Sequence, residues 1–313
     1  LKVKKHFNAF SLITLIFLAI TGPSGPARSQ GPAGIAEMVT KAEESVLGEE
    51  GRGGVLQRIA ILETALFGRS SEGSLMKRAE NLSRALYTGR EDLGPLISIA
   101  NYTEWQLRET VTSNPLVRRV PEIEKLVLGK QLKGPISTRL RKVIQTAVLG
   151  KPLHVQRIIL NEGILVKMKT LDAVSSKDCN INDSFRFAVA DDIIQDGCLV
   201  IPRGLTGTCR VLQARKAQKF GRNGSIAIEF ETIQAIDGTD VPLAVNARAI
   251  ENNKQAGFAA GASLVGMAAL GPVGLLGGVL VSGKDVDLPA GTEIFASVRE
   301  PVEVGSIYLG NLK

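Results

Sequence analysis

Histidine is nearly missing from this chain: its 313 residues include His6 and His154 and no other. His6 falls in a leader-like opening, so the remainder has His154 alone, after Pro152 at an expected helix-to-strand junction. No His-based metal cluster can form within one chain. A Ser-His-Asp triad would rest on His154, and no GxSxG elbow accompanies it. P-loop and dinucleotide fingerprints are also missing. These absences point away from an enzyme, and no cofactor and no metal is expected.

Aromatic residues make up 4% of the chain, with Trp105 the single tryptophan, so any core must be aliphatic. The three cysteines, Cys179, Cys198 and Cys209, lack the CxxC spacing of zinc or redox sites. If Ile201-Pro202-Arg203-Gly204 is the turn of a hairpin, Cys198 and Cys209 lie opposite each other. That suits a cross-strand disulfide in an oxidising compartment. The alternative is two facing buried thiols. The net charge of +7 owes four cations to Lys2, Lys4, Lys5 and Arg28, which leaves +3 for residues 30–313. No nucleic-acid partner follows from that balance.

What is present begins with residues 1–29. A basic n-region at Lys2, Lys4 and Lys5 precedes an apolar stretch from Phe10 to Ile20 and a small-x-small site at Ala27-Arg28-Ser29. This is the pattern of a secretory signal peptide. It implies export, to the periplasm or outer membrane of a Gram-negative-type cell envelope. Residues 30–40 read as a flexible N-terminus.

Residues 41–89 hold a helical repeat. Gly48 matches Gly68, Val55 matches Leu75, Arg58 matches Arg78, Leu62 matches Leu82 and Leu66 matches Leu86. Val55, Ile59, Leu62 and Leu66 form a helical stripe, and a glycine after the last apolar turn is a helix stop. Leu128-Gly129 followed by Arg139 repeats the spacing within 121–150. Helices this short must stack on one another or on a partner. The run Leu62-Glu63-Thr64-Ala65-Leu66-Phe67-Gly68 is similar to "LE-x-x-LFG" repeats of exported bacterial envelope proteins. Residues 90–120, with Pro95 and Pro115, read as a linker, although Ile97 to Val111 could form one helix.

From Gly163 the period becomes two. Strands are expected at Phe185–Ala190, Cys198–Ile201, Gly207–Gln213, Ile226–Ile236, Val241–Ala247, Glu293–Val298 and Val302–Ile307. Turn signals at Asp196-Gly197, Asn223-Gly224 and Asp237-Gly238 separate them. The turn around Pro202 and Gly204 recurs at Pro289 and Gly291. Proline belongs there at a strand edge and glycine where dihedrals are unusual. The fold class is α+β multidomain. Short helical repeats come first, then an all-β barrel or sandwich over 163–313 with a glycine-rich helical hairpin inserted.

The insert, 256–283, has no charged side chain and eight glycines, among them Gly257, Gly261, Gly266, Gly271, Gly274 and Gly278. Gly271-Pro272 breaks it. Its arms would rise about 22 and 16 Å, and neither crosses a hydrocarbon core of about 30 Å. A single span would also separate 284–313 from strands that they should pair with. The sequence therefore favours two short helices folded at Pro272, which would enter a membrane or assemble with copies of themselves through GxxxG pairs. The alternatives are a hairpin packed on its own barrel and a single span.

Two loops carry charge. Asp191, Asp192 and Asp196 read as a solvated turn, or as the site of a barrel acting on envelope polymer. Arg215, Lys216, Lys219 and Arg222, around Phe220-Gly221, read as a hairpin tip, or as a contact for acidic lipid or cell-wall polymer.

The order of these elements resembles the C-terminal β-barrel domain of the TrbI-like family of conjugation and type IV secretion channel proteins. The matching residues are Asp183-Ser184-Phe185-Arg186-Phe187-Ala188-Val189, Asp196-Gly197-Cys198-Leu199-Val200-Ile201-Pro202-Arg203-Gly204, Gly207-Thr208, Ile226 to Phe230, Asp237-Gly238-Thr239 and Leu288-Pro289-Ala290-Gly291-Thr292. The resemblance implies a barrel with a helix pair projecting between strands that helps build an outer-membrane pore. The expected partners are further copies of the chain, a membrane or envelope proteins, and cell-wall polymer. Unlike many members, this chain has a signal-like start and no long proline-rich stretch. That favours a non-enzymatic envelope scaffold over a secretion channel.

Overall fold

The computed structural model describes residues 32–89, 94–147, 153–217, 224–259 and 285–310. The signal-like segment lies outside them. Six helices open the described chain: α1 (Pro32–Val46), α2 (Val55–Phe67), α3 (Leu75–Ser83, continued by a π-helical turn to Thr88), α4 (Leu96–Arg108), α5 (Leu116–Leu128) and α6 (Ile136–Ala147).

The repeat is carried by a buried ion pair. Glu43 binds Arg58, Glu63 binds Arg78, Glu104 binds Arg119 and Glu124 binds Arg139, each pair 15 residues apart. The arginine is always the fourth residue of the following helix. Loop N–H groups of Ser71, Thr112 and Leu132 donate to Glu63, Glu104 and Glu124. One carboxylate thus ties a helix end, its loop and the next helix start, which leaves the buried charges paired and hydrogen-bonded. The residue four positions before each glutamate, Val39, Ile59, Ala100 or Val120, is fully buried.

The fifth residue after the glutamate is a left-handed cap. It is Gly48, Gly68 and Gly129 in three copies, and Glu109, at φ 54°, in the other. Two three-helix units result, α1–α3 and α4–α6, and their loops stack. A Cβ on Gly48 would come within 2.8 Å of Pro115, and one on Gly68 within 3.4 Å of Pro135.

Two expectations are corrected here. Of the expected flexible N-terminus, 30–40, the described residues from Pro32 onward belong to α1, whose Val39, Ala42 and Val46 fill the helical core. The described part of the expected 90–120 linker, residues 94–120, is not a linker. These residues contain α4, whose Leu96, Ile99, Ala100 and Tyr102 are buried in the helical core, and the helix starting at Leu116 runs through Pro121.

The β region has a closed six-stranded barrel, in the order β11-β2-β4-β7-β8-β9. These strands are β2 (Leu165–Thr170), β4 (Ser184–Val189), β7 (Thr206–Arg215), β8 (Ser225–Gln234), β9 (Asp240–Ala244) and β11 (Glu293–Val298). Alternation sets the inside: Val166, Met168 and Thr170 of β2 are buried, and Lys167 and Lys169 are not. A four-stranded sheet, β1-β12-β6-β5, adjoins it. It consists of β1 (Val155–Leu160), β5 (Ile193–Gln195), β6 (Cys198–Ile201) and β12 (Val302–Tyr308). A short ribbon pairs β3 (Val174–Ser175) with β10 (Asp287–Leu288). The β region thus begins at Val155, before Gly163. β1 had no period-two signature because Ile158 and Ile159 are consecutive apolar residues.

The cysteine pairing is also corrected. Cys198 and Cys209 are free, as is Cys179. The turn at Ile201–Gly204 joins two different sheets and not two strands of a hairpin. Cys198 lies opposite Tyr308 and Gln195, and Cys209 lies opposite Phe185 and Phe230.

Candidate functional site: the two ends of the barrel

Strand direction gives the barrel two distinct ends. β1, β5, β6 and β12 are all reached from the end where β4 finishes and β7 begins. That end docks on the helices. Asn101 of α4 donates to the Ile236 carbonyl at 2.8 Å and accepts from Arg119 at 2.7 Å, which links the repeat ion pair to the barrel. Trp105 donates to Asp192 at 2.9 Å, and the Arg203 N–H fills the other oxygen of that carboxylate at 2.6 Å. The Val111 N–H donates to the Arg203 carbonyl, and the Arg203 guanidinium donates to the Glu109 carbonyl. Leu199, Ile236 and Ile307 of the β region belong to the helical core. Tyr87 closes the edge, bonded to Ser45, against Gly238 and with Lys41 over its ring. Burial pushes the Tyr87 hydroxyl up to about 12.

This docking explains the exceptional third repeat. Its loop, 109–115, lies on the Pro202–Gly204 turn. Gly204 adopts φ +96°, and a Cβ there would run into Thr110 and Val111. The matching turn at Pro289 and Gly291 has the same backbone, at φ +86°, and open space around it.

The structure gives the three acidic residues separate surroundings. Both Asp192 oxygens are used in docking, Asp191 lies 3.9 Å from Lys167, and Asp196 occupies a left-handed turn at φ 52°. His154 is exposed and contributes its carbonyl to Tyr308. Among the described residues, no group of three or more His, Cys, Asp and Glu side chains could hold a metal ion.

The opposite end carries the insert. After β9 the chain enters α7 (Ala247–Ala259), so the helix starts earlier than the expected 256 and the strand stops short of Ala247. Asn246 caps α7 by accepting from the Ala249 N–H, and Ala249 is buried in the barrel core. β9 and β11 pair at Ser297–Ala244 and Val298–Leu243, and the Arg299 N–H extends the seam to the Pro242 carbonyl. Toward Phe295 the seam is closed by a side chain. Asn253 donates to the Phe295 carbonyl at 2.9 Å and accepts from the Phe295 N–H at 2.7 Å. The described chain stops at Ala259 and resumes at Asp285, which is also anchored. The Asp285 carboxylate accepts from the Ala217 N–H at 2.7 Å and from Ser176 at 3.0 Å, and the Ser176 hydroxyl also accepts from the Val286 N–H. The Ala217 N–H, followed by Ser176 and the nearby charges of Lys177 and Lys216, holds the Asp285 carboxyl below its usual range.

Gly257 therefore lies in α7, while Gly261, Gly266, Gly271, Pro272, Gly274 and Gly278 lie outside the described residues. So do Lys219, Phe220, Gly221 and Arg222 of the basic loop, whereas Arg215 and Lys216 are exposed at this end. Among the described residues, no helix is long and apolar enough to cross a membrane. No known family model matches the chain, and no curated protein matches it either.

Proposed function

We propose that this is a non-enzymatic envelope scaffold, with the helical repeats at one end of a barrel and a membrane- or self-engaging segment at the other. One observation carries the reading: both flanks of the uncharged segment are clamped to the barrel end remote from the helices. Asn253 fixes the outgoing flank on Phe295, and Asp285 fixes the return on Ser176 and Ala217. Both flanks then stay on one side of any membrane. Export and a TrbI-like origin rest on the residues of 1–29 and 163–300 quoted above. The test is Gly274→Leu with Gly278→Leu. Oligomer size or membrane association should be lost while the thermal unfolding of the barrel is kept. Unchanged assembly and unchanged membrane association would overturn the reading.

A further inference from the structure

The two three-helix units stack in one direction. Matched by their Glu–Arg pairs, α1 corresponds to α4 and α2 to α5. The ends of α1 and α2 lie on the starts of α5 and α6. Gly48 faces Pro115, Gly68 faces Pro135, and the Ser137 hydroxyl donates to the Leu66 carbonyl at 2.6 Å. The contact is head to tail, an end face of one unit against a start face of the next.

One face of each kind is left over. On the end face of the first unit, Val46 and Leu66 are fully buried. Their matches on the second unit are Leu107, 43% exposed, and Val127, half-buried. A Cβ on Gly129 would meet no atom of the described residues within 4 Å, where Gly48 and Gly68 each face a proline. The start faces show the reverse. Leu116 and Ile136 of the second unit are buried, whereas their matches on the first are Val55, half-buried, and Leu75, 36% exposed. The Pro202–Gly204 turn of the barrel rests on the 109–115 loop and leaves Leu107 exposed and Gly129 open.

We infer that the helical repeats join a second copy of this chain head to tail. The start face of one copy, with Val55 and Leu75, covers the end face of the next, with Leu107, Val127 and Gly129. The occupant follows from the interface inside the chain. There an end face takes a start face, and each chain has one of each to spare. Stacked neighbours are what cover the apolar faces of repeat units. Such a contact is heterologous, so it closes into a ring or runs on as a filament. It uses none of residues 260–283 and stands whether or not they enter a membrane.

The test is sedimentation of the full chain and of a version lacking 260–283, which tells stacking apart from association through the insert. Both should self-associate. Leu107→Asp/Val127→Asp spoils one face and Leu75→Asp the other, and each should weaken self-association by about ten-fold or more. Leu107→Asp alone replaces the pair if it fails to fold. Mixed in equal amounts, the two variants should form a dimer, because each keeps the face that the other has lost. Ser74→Pro should tighten association. Ser74 matches Pro135 and has the backbone of Pro115, φ −66° and ψ 150° against −65° and 152°, so the change sets a proline against Gly129. The head-to-tail contact is overturned if the version lacking 260–283 stays monomeric, if either face variant associates like wild type, if the mixture stays monomeric, or if Ser74→Pro associates no more tightly.

Discussion

Asn253 stands in for a β-strand: its side-chain amide gives Phe295 the donor and the acceptor that β9 would otherwise supply. A half-buried backbone pair left open at a barrel seam is costly. Asn253→Leu should destabilise the protein by about 1–3 kcal/mol. Hydrogen exchange at Phe295 should quicken while exchange at Val166 and Met168 does not. Unchanged protection at Phe295 would show that the seam closes without the amide.

The four Glu–Arg pairs make a second prediction. Arg78→Met leaves Glu63 buried and unpaired, at a cost of about 3–5 kcal/mol in urea unfolding. Glu63→Leu/Arg78→Met should recover most of that loss. Burial alone would raise Glu63 and Glu124. Arg78 with Ser70 and Ser71, and Arg139 with the Leu132 N–H, outweigh it and hold both carboxyls below the ordinary 4.5. Their contribution is present above about pH 4.5 and fades as pH falls through the lowered values. Wild type should therefore lose stability on acidification faster than the double variant. Equal acid sensitivity would contradict this.

Gly204 and Gly291 share a backbone conformation and differ in their surroundings, so the two alanine variants separate strain from docking. Gly291→Ala should cost about 1 kcal/mol from its positive φ. Gly204→Ala should cost clearly more and expose the 109–115 loop to proteolysis. Equal costs would mean that the helices do not rest on this turn.

The cysteines give a direct count. Intact mass without reductant should match three thiols. In the native protein Cys179 alone should be alkylated, because Cys198 and Cys209 are buried and burial pushes the Cys209 thiol far up. All three should react after denaturation. One reactive thiol after denaturation would restore the Cys198–Cys209 bond.

Much of this was legible in the sequence because it was periodic. Glycine-to-arginine spacing exposed three repeats, and alternation placed Glu293–Val298 at its observed bounds. The repeat at Arg119 escaped notice because its cap is Glu109 and not glycine, the change that accompanies docking on Arg203. The glutamates were harder to see than the arginines, since glutamate is common on solvated helix faces. The disulfide expectation failed on topology: spacing across a turn cannot show that the chain is changing sheets. Asn253 gave no signal, because nothing local distinguishes an amide on a helix surface from one that closes a barrel.

The most direct test of the central claim is separation of inner and outer membranes, then carbonate extraction, for the full chain and for a version lacking 260–283. The account predicts that the full chain alone stays in the outer-membrane pellet, with both versions folded. If both versions are soluble in the periplasm, the clamped segment does not serve a membrane, and the barrel's far end is an internal packing surface.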